Sequence, residues 1–73
     1  MRNKKDTIYK IYIFVRDYIE TNKFSPTYSH MNEVLKYSEG TISNTINYLV
    51  KKGYLKRPKW GVLQLTDKEY DNG

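Results

Sequence analysis

The chain has 73 residues, a formal net charge of +5 and a pI near 9.5, which suits one domain with a single small core. It has no cysteine, so disulfides, thiolate metal sites and thiol nucleophiles are excluded. No apolar run approaches the roughly 20 residues of a membrane span, and the basic N-terminus lacks the apolar stretch of a signal peptide. A cysteine-free chain fits the cytoplasm, and the basic excess favours a polyanion over a membrane as partner. Stability has to come from packing, to which one Trp, eight Tyr and two Phe contribute bulky area. The many Lys, Asn, Ile and Tyr codons would suit an AT-rich genome.

A first helix is expected over residues 7–21, capped by Asp6. Ile8, Ile11, Tyr12, Val15, Tyr18 and Ile19 fall on one stripe at a period near 3.6. Tyr9 and Ile13 lie four residues apart and off that stripe. They read either as ordinary exposed apolar residues or as a small patch for a protein partner. Phe24, Ser25, Pro26 and Thr27 read as extended, because the residue before proline avoids the helical region. They could form a short strand.

Thr27 is a good cap for a second helix reaching about residue 36, with Met31, Val34 and Leu35 as its core face. Residues 37–40 form a turn. A third helix is expected over residues 39–52, capped by Ser38 and stopped by Gly53. Its Ile42, Ile46 and Leu49 share one face and can bury. Thr41, Ser43, Asn44 and Asn47 point elsewhere. They are small and polar, so they suit contacts to base edges or phosphates.

Residues 54–57 and 62–65 read as two strands joined by Pro58, Lys59, Trp60 and Gly61, a hairpin in which Leu63 and Leu65 cover the core. Residues 1–66 thus form the domain, and 67–73 a polar, frayed tail. Basic residues gather at Arg2, Lys4 and Lys5, and again at Lys51, Lys52, Lys56, Arg57 and Lys59. No enzymatic constellation appears. His30 and Glu33 share one side of the second helix, but two groups fall short of the three protein ligands of a catalytic zinc. The chain is therefore expected to be no enzyme and to need no metal or cofactor.

The run from Tyr12 to Ile19 contains Arg16-Asp17. With the Phe24-Ser25-Pro26-Thr27 lead-in, it resembles the start of the DNA-binding domain of LexA repressors. Thr41-Ile42-Ser43-Asn44 followed by Leu49-Val50-Lys51-Lys52-Gly53-Tyr54-Leu55 is similar to recognition helices of LexA-like and MarR-like regulators. The resemblance spans about residues 8–66. It implies an α+β winged helix-turn-helix and a double-stranded DNA partner. Base-edge contacts would come from Ser38, Gly40, Thr41, Ser43 and Asn44, with Asn47 one turn on. Asn44 would pair with adenine. The second helix would cross the phosphate backbone near Thr27, Tyr28 and Ser29. Lys51, Lys56, Arg57, Lys59 and Trp60 would hold phosphates or enter the minor groove. Leu35 is followed by Lys36 where the family usually has glycine. The sequence also stops where the family's self-cleaving, dimerising domain would begin, so self-cleavage is not carried over.

The leading expectation is a sequence-specific transcriptional regulator, a repressor by resemblance. It would act as a homodimer, because one such domain has a short footprint. The alternative is a small viral or mobile-element protein of the same fold that binds another protein as inhibitor or adaptor through Tyr9 and Ile13. A third reading is a nonspecific architectural DNA binder, against which the uncharged face of the third helix argues.

Overall fold

The computed structural model describes residues 4–59 and 61–70. Three helices come first: α1 (Lys4–Asn22), α2 (Tyr28–Leu35) and α3 (Glu39–Lys52). An antiparallel hairpin of β1 (Leu55–Lys59) and β2 (Val62–Leu65) follows. This is the winged helix-turn-helix, an α+β fold.

The core is one seam. Ile8, Ile11, Tyr12 and Val15 of α1 meet Met31 of α2, Ile42, Ile46 and Leu49 of α3, and Leu55 and Leu63 of the hairpin. Six of these (Ile11, Val15, Met31, Ile42, Ile46 and Leu49) are 0% exposed. Burying side chains of this size stabilises by about 1.5–3 kcal/mol each. Burial also pushes the Tyr12 phenol above its ordinary pKa.

Several expectations need correction. α1 begins three residues earlier than the cap reading allowed. Asp6 lies inside its first turn, where a carboxylate still favours the positive end of the helix. Tyr18 and Ile19 are only half-buried. Val34, expected in the core, is 48% exposed. α2 is two turns long; its Met31 fills the seam, Leu35 borders it and Val34 is left on the rim. The 24–27 segment forms no strand. It is tied to the wing by a bond from the Leu63 amide to Ser25 Oγ at 3.1 Å.

The helix ends follow their local chemistry. Thr27 Oγ1 accepts from the His30 amide at 3.0 Å, and Ser38 Oγ accepts from the Thr41 amide at 3.1 Å. Gly53 ends α3 at φ 89°, its amide reaching the Leu49 and Val50 carbonyls. Lys36 ends α2 in the left-handed region at φ 65°, ψ 21°. A side chain there costs energy that glycine avoids. Asn32 Nδ2 donates to the Tyr37 carbonyl and tightens the same turn.

β1 extends to Lys59 and β2 begins at Val62, so the strands reach further towards the turn than the sequence suggested, with Gly61 at φ 77°. Leu55 pairs with Leu65 and Lys56 with Gln64, then the register slips so that Lys59 pairs with Val62. Two residues, Arg57 and Pro58, therefore oppose one, a bulge at the position where proline has no amide to give.

The segment after β2 is not frayed as far as Tyr70. The Tyr70 ring stacks on Tyr12 at 4.9 Å and packs on Tyr54 at 5.0 Å and Tyr9 at 5.7 Å. Lys68 Nζ donates to the Lys52 carbonyl at 2.8 Å, closing the C-terminus of α3.

Two stability outcomes follow from these contacts. Lys36→Gly should stabilise by about 1 kcal/mol, read as a rise of roughly 4–8 °C in thermal unfolding by circular dichroism. Tyr70→Ala should lower the midpoint by a similar or larger margin, because three tyrosine rings lose a neighbour. An unchanged midpoint for Tyr70→Ala would mean that the stack does not hold the tail.

Candidate nucleic-acid interface

Burying Ile42, Ile46 and Leu49 turns the opposite side of α3 outward. Gly40, Asn44, Asn47 and Lys51 follow one another at spacings of four, three and four, so they form a single exposed stripe. Asn44 makes no hydrogen bond among the described residues, and its amide is free on both edges. Tyr48, 40% exposed and one turn after Asn44, borders the stripe under the Lys52 ammonium at 5.7 Å. It was not singled out in the sequence, although its i+4 spacing from Asn44 was visible.

The first turn is more committed. Ser38 Oγ accepts from the Thr41 amide and donates to Thr41 Oγ1 at 3.0 Å. Ser38 is thus occupied as a cap, whereas the Thr41 hydroxyl keeps a proton to offer. Gly40 is exposed, and a Cβ built there would meet nothing nearer than Ser38 Oγ at 4.0 Å. The fold itself therefore does not require glycine at this point.

The wing is joined to this stripe through Arg57. Its Nη2 donates to Asn47 Oδ1 at 2.8 Å and to the Tyr28 hydroxyl at 3.2 Å. One guanidinium links β1, α3 and the start of α2. The bulge at Arg57 and Pro58 accompanies this inward turn, as bulges commonly re-aim a side chain. Arg57 is therefore half-buried in the concave face and does not stand at the wing tip. Tyr28, Ser43, Asn47, Arg57, Val62 and Leu63 line a cleft of about 340 Å³ between wing and helices.

Of the other expected contacts, Lys56 and Lys59 are exposed on β1 and Lys51 at the end of α3. Trp60 lies outside the described residues. Thr27 spends its hydroxyl on the His30 amide. Ser29 donates to Glu39 Oε2 at 3.4 Å. This carboxylate opens α3 and brings an acidic group beside the start of α2. The His30 ring packs on Phe14 and Tyr18 at 5.8 and 5.5 Å. Tyr9 lies against Tyr70, and Ile13 is half-buried beside the core. Among the described residues no helix is long and apolar enough to cross a membrane.

A LexA repressor from Oleidesulfovibrio alaskensis is 33% identical to the chain over 69 residues. The match covers 89% of this chain and 33% of that protein. The chain is a winged helix similar in sequence to this LexA repressor over that stretch. It spans about a third of the relative's length. No family model matches the chain. No solved structure matches it either.

Within this LexA-like domain, Arg57→Ala should leave the helices intact yet free the hairpin. The expected result is faster amide hydrogen exchange in β1 and β2, with little change in α1. Equal protection in both proteins would show that the Arg57 bonds do not hold the wing.

Proposed function

We propose that the chain is a sequence-specific double-stranded DNA-binding regulator of transcription, working in the cytoplasm as a repressor. Its α3 lies in the major groove and its wing on the backbone and minor groove. The observation that carries this reading is the α3 stripe: small side chains, with the Asn44 amide free, ending in Lys51 and flanked by Lys56 and Lys59, on a helix whose other face is wholly buried. The LexA relative supports it.

The roles differ by residue. Asn44, with both edges of its amide free, matches the N6 and N7 of adenine. Asn47 differs, because Arg57 has donors only and occupies its oxygen. Its Nδ2 group is left to donate, which suits a base acceptor or a phosphate. Tyr28 accepts from Arg57 and so keeps its proton for a phosphate oxygen. Thr41 and Ser43 border the stripe as lesser contacts. Gly40 allows the backbone of α3 to come close to the duplex. Ser38 and Thr27 act indirectly, by fixing the helix starts.

The test is selection of duplexes from a random library, followed by affinities at two salt concentrations. An enriched motif is expected. Asn44→Ala should weaken binding to it by about 1–3 kcal/mol and relax one position. Lys56→Ala or Lys59→Ala should weaken all duplexes alike and reduce the salt slope by about 0.9 each. Gly40→Ala should raise the unfolding midpoint yet weaken binding, separating the two demands on that residue. Binding to the best site no tighter than to random duplex would overturn the reading.

A further inference from the structure

The side of α1 turned away from the core carries an apolar groove lined by Tyr9, Ile13, Phe14, Tyr18 and Leu35. Two opposite charges, Lys10 and Asp17, also line it. They are seven residues apart, two turns or about 10.5 Å, on one exposed ridge. Their midpoint falls between Ile13 and Phe14.

We infer that this face pairs with the same face of a second copy, α1 against α1 and antiparallel, about a two-fold axis between Ile13 and Phe14. In that register Lys10 of each copy meets Asp17 of the other. Ile13 meets Phe14, and Tyr9 meets Tyr18. A two-fold interface has to be complementary to itself, and one cation and one anion placed evenly about an apolar centre meet that condition twice.

Charge favours this occupant. α1 carries Lys4, Lys5, Lys10 and Arg16 against Asp6, Asp17 and Glu20, a net of +1. The whole chain carries +5. Only a small part of the chain's positive charge therefore lies on the helix through which two copies would meet. Lys10 makes no ion pair among the described residues. Among the described residues Asp17 pairs with its neighbour Arg16 at 3.2 Å, a solvent-accessible pair of small worth that a better partner can replace. The α3 stripe lies on the far side of the domain, so pairing through α1 does not depend on the proposed DNA role.

Sedimentation equilibrium on the full chain tests this. The wild type should form dimers. Lys10→Glu alone and Asp17→Lys alone should each weaken dimerisation by about tenfold, since each replaces two ion pairs with two repulsions. An equimolar mixture of the two variants should recover wild-type dimerisation, because the heterodimer again sets opposite charges together at both positions. Both residues are exposed, so unchanged thermal midpoints are expected. A wild type that stays monomeric at about 1 mM, variants that dimerise like the wild type, or a mixture no tighter than its components would each overturn the inference.

Discussion

Everything this domain presents outward depends on α3 having one face with no exposure at all. Ile42, Ile46 and Leu49 are each 0% exposed against α1, α2 and the hairpin. A helix anchored at three successive turns cannot roll without opening the core, and interiors of this density resist such change. The opposite stripe is therefore held in a fixed orientation at the cost of apolar burial alone. That division explains how so few residues can carry both a core and a reading face. No core position on α3 has to serve both, and the one buried polar residue there, Thr45, is small enough to fit the seam.

The wing needs a different constraint. Two short strands are marginal by themselves, and this pair is interrupted after two residue pairs by its bulge. Three contacts make up for that. Leu55 and Leu63 enter the core. Ser25 accepts from the Leu63 amide. Arg57 bonds to Asn47 and Tyr28. Thr66 adds a fourth tie, donating to the Gly53 carbonyl at 2.7 Å. The hairpin is thus fixed to α3 at both its base and its middle, and groups on the concave side of the wing keep a set relation to the stripe.

What could be seen in the sequence was local. The bounds of α3, its Ser38 cap and its Gly53 stop follow from neighbours within four residues. So does the pairing of Thr27 with the His30 amide. The apolar period of α1 located its buried side correctly. What was hidden was set by residues far along the chain. Val34 is exposed although it lies on α2 next to the buried Met31 face, which no periodicity reports. The stacking of Tyr70 on Tyr9, Tyr12 and Tyr54 joins the two ends of the domain, so a polar-looking tail was read as loose. Arg57 read as one more wing cation, since a bulge at Pro58 and a bond to Asn47 ten residues earlier leave no mark on composition. Lys36 is the instructive middle case: its departure from glycine was visible, but its left-handed backbone only became clear with the turn in place.

The placement of the two faces limits how a pair of these domains could act. α1 buries Ile8, Ile11, Tyr12 and Val15 towards α3 and turns Lys10 and Asp17 away from it. The α3 stripe in turn points away from α1. A two-fold axis at the α1 ridge therefore sets the two stripes on opposite sides of the pair. Adjacent half-sites one helical turn apart on a straight duplex need both reading helices on the same side. A pair joined through α1 would instead hold two separate duplex segments, one on each side. Its gain would come from effective concentration, because engaging one segment holds the second stripe near any segment tethered within reach. Short footprints would then add across space and not along one groove, and this suits a domain whose single reading helix offers only about four outward positions.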